Sequence, residues 1–167
     1  INMTWEIFMR IAHIIGTVLG VGGATFAEIF YERANRDGMI DPAAGGYLKI
    51  TYTVLRLGMI LLVLSGFGFL LLLRLEGRAQ YIYSDRLWAK LVITLVILLN
   101  ALLLQTRKVP LWLGSTISLT SWYAALVLGI WRGLPAGFWA IMAGYVLAIG
   151  VVALALGIIR KMRGGKA

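Results

Sequence analysis

The sequence predicts an all-α polytopic transmembrane bundle of five helices, on three observations. Of its 167 residues, 60% are hydrophobic and only 14% charged, with a mean hydropathy of +0.88, far from the composition of soluble domains. The apolar residues fall into five runs, each near the roughly 20 residues that cross a hydrocarbon core of about 30 Å. Most of the charged residues gather at the ends of those runs. Residues 1–167 therefore read as a single helical domain in contact with lipid.

The first span covers Ile7 to Phe30. The polar stretch after it carries Glu32, Arg33, Asn35, Arg36, Asp37 and Asp41, and Pro42 with the Gly45-Gly46 pair is expected to stop any continuing helix. The second span runs from about Ile50 to Leu73 and ends at Arg74. Tyr81 and Tyr83 then suit an interfacial aromatic belt. The third span, Leu87 to Leu104, closes at Gln105, Arg107, Lys108 and Pro110. The fourth, Leu111 to Trp131, holds a hydroxyl group of Ser115, Thr116, Ser118, Thr120 and Ser121. The tight turn Gly133-Leu134-Pro135 lays the fifth span, Phe138 to Ile159, antiparallel beside the fourth. Trp5, Trp88, Trp112, Trp131 and Trp139 sit near span ends, as belt residues do. At the start of the sequence, Thr4, Glu6 and Arg10 with a span too long for a signal-peptide core do not match a cleavable leader.

The formal net charge of +9 is better explained by anionic headgroups than by nucleic acid, because the charges lie beside lipid-length apolar runs. Nine lysines and arginines fall in the first loop, the third loop and the tail, against Arg74, Arg78, Arg86 and Arg132 on the other side. By the positive-inside rule the N-terminus is expected outside and the C-terminus inside a cytoplasmic, bacterial inner membrane. Cys is absent, which excludes disulfides and thiolate metal sites.

Ionisable residues within a membrane are costly and so are functional candidates. His13, the only histidine, lies six residues into the first span, roughly 9 Å below its outer end at 1.5 Å per residue. Lys90 enters the third span from the same side, where its ammonium can also snorkel to headgroups. Gly16, Gly20, Gly23 and Ala27 follow His13 at helical spacing and make a bare face, which allows either close helix packing or the approach of a flat macrocycle. Lys90, Thr94, Ala101 and Gln105 form one stripe of the third helix, expected to face the His13 stripe. Glu28 and Arg56, near the inner ends of the first two spans, are expected to form a structural ion pair. Gly58 with Ser65 and Gly144 with Ala148 read as packing faces, and the hydroxyls of the fourth helix are expected to bond their own backbone.

His13-Ile14-Ile15-Gly16 with Gly22-Gly23 resembles the opening helix of the bacterial haem-binding protoporphyrinogen oxidase family and the related copper resistance D-like membrane proteins. Leu57-Gly58-Met59 is similar to that family's Pro-Gly-Met stretch. Leu87-Trp88-Ala89-Lys90-Leu91 is similar to its Leu-His-x-Lys-Leu run. The likeness covers most of the chain loosely, with short apolar motifs. It implies a bundle in which His13 ligates haem b, with Lys90 essential nearby. Trp88, Leu57 and Ala101 stand where the family has histidine, proline and histidine, and Lys49 where it has an arginine, so the haem ligand is kept while much of the polar apparatus is not.

Three functions follow as expectations. The first is a haem-binding redox or porphyrin-handling protein with His13 as iron ligand, Gly16 and Gly20 beside the macrocycle, Lys90 close by, and Met9 or Met142 at depths that suit a second ligand. The second is an accessory or assembly subunit that binds other membrane subunits or a second copy of itself. The third is a small ion or metal transporter, which Arg56, Lys90 and the hydroxyl-rich fourth helix would serve.

Overall fold

The structure, a computed structural model, describes residues 3–34, 42–131 and 133–164. All regular structure among them is helical: α1 (Met3–Ala34), α2 (Pro42–Leu75), a short 3-10 turn, η1 (Ala79–Tyr83), α3 (Asp85–Gln105), α4 (Leu111–Ile130) and α5 (Phe138–Gly164). All five α-helices are long and apolar enough to cross a membrane, which makes this an integral membrane protein. The expected spans lie inside these helices to within a residue.

Two boundaries differ from the sequence reading. Pro42 opens α2 rather than ending a helix, and Gly45-Gly46 are helical. Proline has no N–H to lose at a first helical turn, and its fixed φ already suits the helix. The polar residues Asn35, Arg36, Asp37 and Asp41, like Arg132 and Lys166, lie outside the described residues. The basic tail is also helical as far as Gly164, so Arg160 and Lys161 extend α5.

α2 ends on Gly77, whose φ of +69° is open to glycine at no steric cost, with Arg78 N–H donating back to the Leu73 carbonyl at 2.9 Å. α3 ends with the same turn, where Arg107 takes the positive φ and Lys108 N–H donates to the Leu103 carbonyl. η1 then sets Tyr81 and Tyr83 at the surface, as an interfacial belt requires.

α4 is the central helix, packing against α1, α3 and α5, while α2 packs chiefly on α1. α1 and α3 share no extensive face, because α4 stands between them. The expected meeting of the α3 stripe with the His13 stripe is corrected accordingly: Lys90 and Thr94 are half-buried, but Ala101 and Gln105 are exposed. The interior combines small and hydroxylated residues, Ala24, Ala89, Thr116 and Ser121 among them, with larger ones such as Leu62, Ile93, Ile97, Leu128 and Trp122, while many other leucines and isoleucines are exposed. In lipid, apolar surface gains nothing by turning inward, so close packing and internal hydrogen bonds decide which face is buried. Five tryptophans are exposed near helix ends, and the sixth, Trp122, is 1% exposed at the core.

Candidate functional site

His13 is half-buried on α1 and meets α2 at Ser65 and Phe69. The Ser65 hydroxyl donates to the Leu61 carbonyl of its own helix at 2.5 Å, and a hydroxyl has one hydrogen to give. With that hydrogen given to Leu61, the oxygen is free to accept from His13 Nδ1–H at 2.9 Å. In that arrangement the neutral imidazole carries its lone pair on Nε2, the form in which histidine ligates a metal. Phe69 meets the imidazole edge-on, at 5.6 Å between centroids, and holds the ring plane. Gly66 passes close by: a Cβ built there would lie 3.9 Å from His13 Cε1.

Lys90 approaches this end from α3. Its Nζ turns toward Gly129 of α4, 3.9 Å from where a Cβ would stand, and it is near enough for its charge to act on His13. Met9 presses its sulfur on Gly68 of α2, while Met142 packs against the core from α5.

The glycine face below His13 is not a cleft. A Cβ on Gly16 would come 2.8 Å from the Leu62 backbone nitrogen and 2.9 Å from the Gly58 carbonyl oxygen. One on Gly58 would come 2.9 Å from the Gly20 nitrogen, and one on Gly20 would overlap the Trp122 ring. Gly16 and Gly20 thus serve helix contact, leaving no space for a macrocycle along their face. The test for haem gives a divided answer on residues: the imidazole donor fits, the glycine face does not. Any flat ligand of His13 must lie at the His13 and Gly66 level or nearer the helix ends.

At the other end of α1 the expected pair of Glu28 with Arg56 does not form. Glu28 Oε1 accepts instead from Arg160 Nη2 at 2.6 Å, and Glu32 Oε1 accepts from Arg160 Nε at 2.5 Å. The guanidinium also lies over the Tyr31 ring, 5.3 Å from its centroid. Arg56 is exposed on the far side of α2. A guanidinium offers several donors in a fixed fork, so one Arg160 serves two carboxylates a turn apart.

Four of the five serine and threonine hydroxyls of α4, those of Ser115, Thr116, Thr120 and Ser121, are bonded within the protein. Thr116 donates to the Trp112 carbonyl at 2.7 Å, Thr120 to Thr116 at 2.9 Å and Ser121 to Ile117 at 2.6 Å. Ser121 then accepts from the Tyr145 hydroxyl of α5 at 2.7 Å. Ser121 with Tyr145 ties α4 to α5, while the other bonds are to the backbone of α4 itself, as expected. Among the described residues no three histidine, cysteine or acidic side chains gather as a metal site.

Sequence reasoning placed His13, Lys90 and Glu28 at useful depths but missed Ser65 as the imidazole's partner, Glu32 and Arg160 as the ion cluster, and Trp122 as the filler of the glycine face. Ser65 was read with Gly58 as a small-residue packing face, which says nothing of a bond to an imidazole on another helix. Compared with protein-family models, curated proteins and solved structures, the chain has no match.

Proposed function

We propose that the protein binds haem b or a related porphyrin through His13, in a redox or porphyrin-handling role, at the end of the bundle where α1 begins. The observation that carries the reading is the Ser65 hydroxyl bonded to Nδ1, which leaves the Nε2 lone pair as the donor an iron requires. Haem would supply one-electron chemistry, with the protein providing the ligand, its orientation and the surrounding dielectric. In this reading His13 would hold the iron, Ser65 and Phe69 would orient the imidazole, and Lys90 would bring a positive charge near it. The distribution of Arg33, Lys49, Arg107, Lys108, Arg160 and Lys161 at the opposite end supports an N-terminus outside a bacterial cytoplasmic membrane.

The test is the absorbance spectrum of the purified protein before and after addition of haem. The reading expects a Soret band that His13→Ala removes and Ser65→Ala shifts or weakens by about 10-fold in affinity, the low end of the loss that follows removal of an orienting partner. A spectrum indifferent to His13 would rule it out.

A second reading, an accessory subunit of a larger membrane complex or a homodimer, rests on α5. Gly144, Gly150 and Gly157 face open space, with nothing within 4 Å of a built Cβ. The expected packing of Gly144 inside this chain does not occur. Stoichiometric co-purification with other subunits, or a defined dimer in mild detergent, would support this reading; a monomer would remove it.

A further inference from the structure

At the end of the bundle away from His13, two carboxylates, Glu28 and Glu32, share one guanidinium. Among the described residues Arg160 is the one cation bonded to Glu28 or Glu32, so two carboxylates share a single positive charge. The remainder falls on a definite atom. Glu28 Oε2 is buried without a hydrogen-bond partner, on a side chain 7% exposed, and the Glu32 side chain is 11% exposed. An unpaired carboxylate oxygen inside a membrane-spanning helix is strongly unfavourable, far more so than the same oxygen beside a positive charge.

Among the described residues, no other cation is bonded to either carboxylate. Tyr31 of α1 lies under Arg160, and Tyr52 of α2 stands close enough to feel Glu28. α4 brings Tyr123 as its only ionisable side chain, and that hydroxyl is bonded to Thr25 at 3.1 Å. Arg33 and Arg56 are exposed, and neither bonds a carboxylate of the cluster.

We propose that Glu28 Oε2 binds one small cation, a proton or an alkali ion, so that Glu28, Glu32 and Arg160 form a charge-neutral, cation-loaded site at this end of the membrane domain. The site is separate from His13 and does not depend on the haem reading. A carboxylate oxygen is a hard acceptor suited to either occupant.

The experiment uses the whole chain in detergent, at a pH where exposed carboxyl groups are ionised. If the occupant is a proton, the infrared spectrum of the wild type contains a protonated-carboxyl C=O band that Glu28→Gln lacks. If it is an alkali ion, NaCl or KCl raises the thermal midpoint above that in choline chloride of equal ionic strength, and Glu28→Gln abolishes the difference. Glu32→Gln removes the surplus charge by another route, so it too loses the band or the alkali effect. A wild type showing neither the band nor alkali-specific stabilisation overturns the proposal, and that result does not rely on either variant folding.

Discussion

α1 and α5 each carry several glycines and use them in opposite ways. On α1, Gly16 and Gly20 are pressed against the backbone of α2 and the ring of Trp122, so closely that no side chain fits. On α5, Gly144, Gly150 and Gly157 meet nothing, and the helix is held instead by Ile141 and Tyr145 near one end and by Arg160 near the other. A ladder of small residues is a permission for close approach, and the neighbour decides whether it is used. In α1 the neighbour is α2, which brings Gly58 to the same level.

The contrast can be broken most severely at Arg160, which ties the far end of α5 to α1. Arg160→Ala leaves two buried carboxylates without their cation and is expected to cost about 3–5 kcal/mol, read as a lowered unfolding midpoint in detergent. Next is the seam itself. Gly16→Ala places a methyl group against the fixed backbone of Leu62 and Gly58, with an expected loss of about 1–3 kcal/mol as the helices are forced apart. Smallest, and opposite in sign, is Gly150→Ala. With open space around it, the alanine is expected to stabilise α5 by about 0.5–1 kcal/mol through helix propensity alone. A loss at Gly150 as large as that at Gly16 would mean that another chain covers α5 in the purified protein.

The five spans were legible because hydropathy and length alone mark a helix that lipid must accept. The start of α2 was not, since Pro42 forbids a helical interior yet favours a first turn, and the sequence does not say which applies. Glu28 was readable as a residue needing a partner. Arg56 was chosen because the second span starts from the loop that ends the first, but the real partner lies 132 residues away, and only the packing order of the helices brings α5 to α1. The bare face below His13 read equally well as a ligand cleft or a helix seam; backbone atoms of α2 and the ring of Trp122 occupy it. Ser65 was readable only as part of a packing face with Gly58, because its bond to the imidazole comes from sharing a level with His13 on another helix.

The central claim is that His13 is poised as a ligand, with Ser65 holding Nδ1–H and Nε2 presenting its lone pair. The most direct measurement is a titration of the purified protein with haem, followed at the Soret band, for the wild type, His13→Ala and Gly150→Ala. The account predicts a saturable band in the wild type and in Gly150→Ala and its loss in His13→Ala. An identical titration in all three, or none in the wild type, would contradict it.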